Sequence, residues 1–349
     1  MILVVALNPA LDITHHVAGA DWAGVNRPFA VHARAGGKGL NVARTLRALG
    51  QPVTLTGLAG GLTGRAVIDG LDGTGIVTEL TPVAGETRRT FVVADSVTGH
   101  AALFNEPGPA VSAPEYQEFL VAYDKALASS AAVVLSGSLP DGVPADAYAG
   151  LIATAAVAGV PAILDASGAA LATGAAAGPA LIKPNLSELE AAAGRGLRTS
   201  GAAGTGGAAG AAGAAGTGGA AGAGEAGDVA DSPDLPAIEQ AARGLAGAGS
   251  TVVVSLGPGG LLAVGPDGTW HARPPAPVPG NPTGAGDAVV AGLADALVTG
   301  LDWPATLRHA VALGTAAAGT PVAGEFALAA YERLVTTVQV IGAARQEQD

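Results

Sequence analysis

Short apolar runs alternate with longer stretches of helical periodicity along most of this 349-residue chain, and that alternation limits the fold more than any other feature. The runs fall at 2–7, 53–57, 90–93, 131–135, 161–164, 181–182 and 252–255. Helical patterns lie between them at 41–49, 65–71, 113–128, 145–157, 187–193, 235–247 and 285–298, with 307–317 and 326–340 closing the chain. Strands separated by helices need crossover connections, so the sheet they build is mainly parallel and covered by helices. Hydrophobic residues make up 49% of the chain, and aromatic ones only 3%. The core is therefore packed mostly by Ala, Val and Leu, which suits strands buried on both faces.

Three segments depart from the rhythm. Residues 12–34 and 87–104 alternate like half-exposed strands, and together they predict a small second sheet, a lid over the edge of the main one. Residues 201–227 are almost all Gly, Ala and Thr. Their glycines make ordering costly, which predicts a flexible surface insertion within a single domain spanning 1–349.

The formal net charge is −12, and no basic stripe of the kind that meets nucleic acid is present. Lysine occurs only at positions 38, 125 and 183. The absence of cysteine excludes disulfides, thiolate catalysis and Cys-ligated zinc, and fits a cytoplasmic protein. The apolar start lacks a basic n-region and stops at Asn8-Pro9, so it reads as a buried strand. No uninterrupted apolar run reaches the length of a membrane span. The histidines lack metal-ligand spacing.

Several motifs carry candidate chemistry. The stretch 280–287 reads Gly-Asn-Pro-Thr-Gly-Ala-Gly-Asp and runs into an apolar helix. The amides of Gly284, Ala285 and Gly286 then lie at a helix N-terminus, whose free N–H groups and dipole favour an anion. Asp287 follows in the first turn, where it can accept a proton or merely cap the helix. A second glycine loop, Gly36-Gly37-Lys38-Gly39, enters a helix that carries Asn41; it is not a Walker A loop, because Gly and not Ser or Thr follows the lysine. Asn41 can hold adjacent hydroxyls and Lys38 an anion. Asp12 follows the first strand in Asn-Pro-Ala-Leu-Asp, and by itself reads as a turn residue. Arg88 offers a fork for a phosphate, Arg89 reads as a solvated charge, and Arg27 as a weaker phosphate contact. Ser138 ends a strand in small residues. In Lys183-Pro184-Asn185, with Glu188 one turn on, Asn185 and Glu188 can share a face and organise a hydrated Mg2+, or simply form a helix cap. Ser255, Gly257 and Gly260 form a turn after another strand.

Taken in order, these seven motifs resemble those of the PfkB, ribokinase-like carbohydrate kinases. The Asn-Pro-Ala-Leu-Asp form is similar to the branch that holds 1-phosphofructokinases and tagatose-6-phosphate kinases. The resemblance implies a three-layer α/β/α fold with a small β-sheet lid. It implies Asp287 as catalytic base, with Gly284 to Gly286 as an anion hole. Sugar hydroxyls are expected on Asp12, Gly36, Gly37 and Asn41, and the phosphate already on the sugar on Lys38, Arg88 and Ser138. ATP is expected along Lys183, Asn185, Ser255, Gly257 and Gly260, with Mg2+ positioned through Glu188. The implied substrate is a ketohexose phosphate, foremost fructose 1-phosphate, with tagatose 6-phosphate and fructose 6-phosphate as alternatives. The resemblance also implies a homodimer through the lid. A non-catalytic sugar-phosphate-binding regulator is the rival from another class. A dinucleotide-dependent oxidoreductase is disfavoured, since the first strand leads to Asn8-Pro9 and not to a Gly-x-Gly-x-x-Gly turn.

Overall fold

The computed structural model of the chain describes residues 1–197, 233–247, 249–276, 283–320 and 322–344. The insertion expected at 201–227 and residues 280–282 of the last glycine motif lie outside the described residues.

In chain order the first half contains β1 (Ile2–Ala6), β2 (Ala10–Val17), β3 (Ala30–Gly36), α1 (Lys38–Ala48), β4 (Val53–Gly60), α2 (Gly61–Asp69), β5 (Val77–Val83), β6 (Arg88–Asp95) and β7 (Ala101–Asn105). Next come α3 (Ala113–Leu127), β8 (Ala132–Ser136), α4 (Ala147–Val157), β9 (Ala162–Asp165), α5 (Gly168–Ala176), β10 (Leu181–Ile182), α6 (Leu186–Ala193) and α7 (Leu235–Leu245). The chain finishes with β11 (Thr251–Ser255), β12 (Leu261–Gly265), β13 (Gly268–Arg273), α8 (Ala285–Thr299), α9 (Trp303–Ala318), α10 (Leu328–Val335) and β14 (Gln339–Ala344).

Among the described residues the main sheet has ten strands in the order β14-β13-β12-β11-β10-β9-β8-β1-β4-β5. From β11 to β5 every pairing is parallel. Period-two alternation sends the side chains of β1 to opposite faces. Leu3 and Val5 pack with Phe119 and Tyr123 of α3, Leu151 of α4 and Ile238 of α7. Ile2 and Val4 pack with Leu40 and Leu46 of α1, Val290 and Leu293 of α8 and Leu307 of α9. Two apolar layers thus sandwich the sheet, which is the three-layer α/β/α arrangement expected. Burying a Leu or Ile side chain stabilises by about 1.5–3 kcal/mol, and most of these are fully buried.

A separate four-stranded sheet has the order β3-β2-β6-β7. It covers the two segments expected to form a second sheet, and the run at 90–93 belongs to it, inside β6. Its register sets Asp12 between Arg34 of β3 and Thr90 of β6. This sheet leaves β1 at Asn8-Pro9 and rejoins the body at α1, so its first strands start beside the carboxyl ends of the main sheet.

Three elements correct the expectations. The helix expected at 326–340 is only α10; the chain then turns and adds β14, antiparallel to β13. The β-branched sequence Thr336-Thr337-Val338, with Val340 and Ile341, favours a strand there. Strands β12 and β13 form an antiparallel hairpin closed by Pro266-Asp267, so the sheet ends in an antiparallel edge. Strand β5 and the Ala/Gly-rich helix α5 were not anticipated at all.

Candidate active site

In a parallel sheet, ligands are met at the carboxyl ends of the strands, and the residues singled out from the sequence gather there. Helix α8 starts after Gly284, whose φ of +84° is a left-handed conformation suited to glycine. A Cβ at Gly284 would also stand 2.8 Å from that of Ala323. Ala288 N–H is the first to bond back, to the Gly284 carbonyl, so the preceding amides of α8 have no intrahelical partner. Asp287 sits in this first turn and is 7% exposed.

Asn41, in α1, donates from Nδ2 to Asp287 Oδ2 at 2.9 Å. The two glycine motifs, 246 residues apart, therefore meet at one carboxylate. Burial pushes the Asp287 carboxyl up to about 6, helped by the negative charge of Asp165 and opposed by Lys38, Asn41 and Lys183.

Asp165, at the end of β9, is the centre of the cationic side of the site. Its side chain is 1% exposed, and its Oδ1 lies 3.1 Å from Lys183 Nζ and 3.6 Å from Lys38 Nζ. Ser136 donates to its Oδ2 at 3.0 Å. Burial raises the Asp165 carboxyl, but the two ammonium groups outweigh it and hold it below the usual carboxylate range. Asp165 in turn raises the Lys38 ammonium above its ordinary value.

Lys38 also approaches Glu188 Oε1, at 3.9 Å. Its ammonium therefore faces the ends of β9 and β10, held there by the Asp165 carboxylate.

Arg88 opens β6 and donates from Nε to the Asn8 carbonyl at 3.2 Å. Asn8 Nδ2 donates to Ser138 Oγ at 3.1 Å. Arg88 and Ser138 thus flank one residue at the end of β1. Asp12 folds over Gly36, where an added Cβ would stand 1.9 Å from Asp12 Oδ2. Burial raises the Asp12 carboxyl, against the pull of Thr90, Arg88, the Gly37 amide and Arg44. Gly37 takes a φ of +94° as it enters α1.

Asn185 caps α6: its Oδ1 accepts from Glu188 N–H at 2.8 Å, and its own N–H donates to Glu188 Oε2 at 2.8 Å. The cap consumes one oxygen of Glu188 and leaves Oε1 toward Lys38. Among the described residues no group of three or more His, Asp or Glu could hold a metal ion. A cation that keeps most of its waters asks for only one or two carboxylates. The donors fit a hydrated Mg2+ reached through Glu188, and not a closed metal cage. Ser255 bridges to Asn185, and its N–H bonds the Pro184 carbonyl, so the turn through Gly257 and Gly260 lies beside Lys183. Gly260 is required there, since a Cβ would stand 1.9 Å from the Ala272 carbonyl oxygen.

Arg27 lies in the exposed turn beyond the His16–Ala30 pair of the β2–β3 hairpin. Arg89 is an exposed charge, as expected, and its Nε and Nη2 donate to Glu106 at 3.2 and 3.0 Å across the open end of the β6–β7 hairpin.

The model of the pfkB family carbohydrate kinases matches residues 6–328. The chain belongs to that family. It is 35% identical over 320 residues to a 1-phosphofructokinase of Rhodobacter capsulatus, a match covering 91% of this chain and 90% of that protein. Phosphofructokinase-2 from Escherichia coli, solved with fructose-6-phosphate, superposes with a TM-score of 0.78 at 27% identity, covering 96% of this chain and 98% of that one. The same enzyme is known in a tetrameric inhibited form. Ribokinase of Arabidopsis thaliana, solved with ribose and ATP, shares the fold at a TM-score of 0.66 and 18% identity, covering 96% and 98%. Membership of a kinase family implies use of ATP. No helix among the described residues is long and apolar enough to cross a membrane.

Sequence reasoning passed over Asp165 and Asn8. Asp165 had no local signature, as a lone carboxylate at the end of an apolar strand. Asn8 was visible in the Asn-Pro-Ala-Leu-Asp motif, but attention went to Asp12.

Proposed function

We propose that the chain transfers the γ-phosphoryl of ATP to the free primary hydroxyl of a ketohexose phosphate, with fructose 1-phosphate as substrate and fructose 1,6-bisphosphate as product. The observation that carries this reading is the meeting of Asp287 with Asn41 at a helix start whose first amides have no intrahelical partner. The relationship to the Rhodobacter capsulatus enzyme supports the choice of sugar.

In this reading Asp12, Gly36, Gly37 and Asn41 hold the sugar hydroxyls. Arg88 and Ser138, joined through Asn8, hold the phosphate already present. Lys183, Asn185, Ser255, Gly257 and Gly260 line the nucleotide side. Lys38 stands with Lys183 where the phosphates of ATP meet the acceptor. Glu188 is the residue that would hold Mg2+, which would supply neutralisation of the phosphate charge. Asp287 takes the proton of the attacking hydroxyl as the new O–P bond forms and the bond to the ADP oxygen breaks. Phosphoryl transfer needs alignment and charge neutralisation more than covalent help. The amides of Gly284, Ala285 and Gly286 supply part of that charge stabilisation. The β3-β2-β6-β7 sheet acts as a lid that excludes water. Its exposed Trp22, Phe29, Val31 and Phe104 support a homodimer through this lid.

A coupled assay of ADP release over fructose 1-phosphate, tagatose 6-phosphate, fructose 6-phosphate and fructose tests the reading. The highest kcat/KM is expected with fructose 1-phosphate, and the lowest with fructose, which offers Arg88 no anion. Preference for fructose over every phosphate would overturn the assignment of the Arg88–Ser138 side.

A further inference from the structure

We propose that Asp165 is a positioning residue that holds both Lys38 and Lys183 on the path of phosphoryl transfer. The inference rests on the kinase reading above and adds to it a residue that acts through the two lysines.

Three facts carry it. First, the chain has only three lysines, and two of them, from motifs far apart in sequence, converge on one oxygen of Asp165. Second, Asp165 is itself fixed. Its side chain is 1% exposed, Ser136 donates to the other oxygen, and its backbone carbonyl accepts from Gly137 N–H. Third, the lysines it holds are aimed at the site. A Cβ on Gly286 would stand 3.8 Å from Lys183 Nζ, so that ammonium lies against the start of α8. Lys38 reaches to within 3.9 Å of Glu188, across the gap between the sugar loop and the nucleotide side.

The physical logic is preorganisation. A lysine side chain carries about 2 kcal/mol of rotamer entropy, which a phosphate contact must overcome at the moment of reaction unless the ammonium is already placed. One buried carboxylate between two ammonium groups places both, and each ammonium has three N–H donors, so donors remain for an incoming anion. A lone lysine here would wander; a carboxylate for each would cancel the charge needed.

The test uses the whole chain with ε-13C-labelled lysine, which gives three side-chain signals. Lys125, on α3, serves as the internal reference. Asp165→Asn preserves the shape and the acceptor for Ser136 while removing the charge. It is expected to shift the Lys38 and Lys183 signals and leave Lys125 in place. It should also lower kcat by about tenfold to a hundredfold, the cost of misplacing groups by an ångström or so. Ser136→Ala, which frees one carboxylate oxygen without touching charge, should shift the same two signals less and provides the test if Asp165→Asn does not fold. The proposal is overturned if the Lys38 and Lys183 signals stay in place, or if kcat stays within threefold while they move. Asp287→Asn run in parallel separates the two levels: normal turnover by that variant would defeat the base assignment, whereas the lysine signals report on Asp165 regardless.

Discussion

Helix α8 carries a buried carboxylate, Asp287, and a partly buried one, Asp295, and their surroundings are opposite. Asp295, eight residues after Asp287 and so about two turns along, is fully engaged. Gln51 donates to its Oδ1 at 2.6 Å, and His309 Nε2 lies 3.0 Å from its Oδ2. His309 Nδ1 in turn lies 2.8 Å from the Tyr331 hydroxyl. Burial raises the Asp295 carboxyl, but His309 and Gln51 outweigh it and hold it below the usual range. Asp287 receives one amide from Asn41, and burial together with Asp165 pushes it up to about 6. The same residue type on the same helix is thus a strut at one end and an under-compensated group at the other. Satisfied carboxylates hold elements together, here α8 to α9 and α10. A carboxylate kept short of partners, near a free helix start, is suited to take a proton.

The comparison can be broken in several ways. The largest effect expected is on turnover. Asp287→Asn should lose on the order of 10²–10⁴-fold in kcat, the usual contribution of a general base. Asp295→Asn should keep kcat within about threefold, as expected of a distant site with no shared partners. Steady-state kinetics on the two purified variants decides this.

Stability should run the other way. Asp295→Asn is expected to destabilise the fold by about 1–3 kcal/mol, because it disturbs a buried network. Asp287→Asn should be stabilising at pH 8, by on the order of 1–3 kcal/mol. The sign follows from the direction of each shift. Asp287 is raised, so its ionised form weakens the native state progressively as pH rises from about 4 through about 6. Asp295 is lowered, so its contribution is present above the unfolded value of 3.8 and is lost as pH falls below it. Urea unfolding at pH 5 and pH 8 reads both. A smaller change is expected from Tyr331→Phe, about 0.5–1.5 kcal/mol, with no movement in the pH dependence of turnover.

How much of this was legible in the sequence differs between the same kinds of feature. Asp287 and Asn41 were visible because each sits in a local glycine motif whose backbone demands are written in adjacent residues. Asp165 was not, since its two lysines and its serine come from other parts of the chain and no neighbouring residue marks it. Lys38 was seen as a cation, but its direction depends on that unseen carboxylate. The parallel body of the sheet followed from the alternation of apolar runs and helical patterns. Its antiparallel edge did not, although Pro266-Asp267 between two apolar runs is a hairpin signal. The apolar residues of the tail fit the helical period, but the β-branched content of 336–341 decides for a strand from Gln339.

The account depends most directly on Asp287 titrating as a raised carboxylate that must be ionised for turnover. The decisive measurement is the pH dependence of kcat/KM for the preferred hexose phosphate in the wild-type chain. An acid limb is predicted near pH 6, with activity lost as the proton returns to Asp287. A rate that holds level down to pH 4 would contradict it.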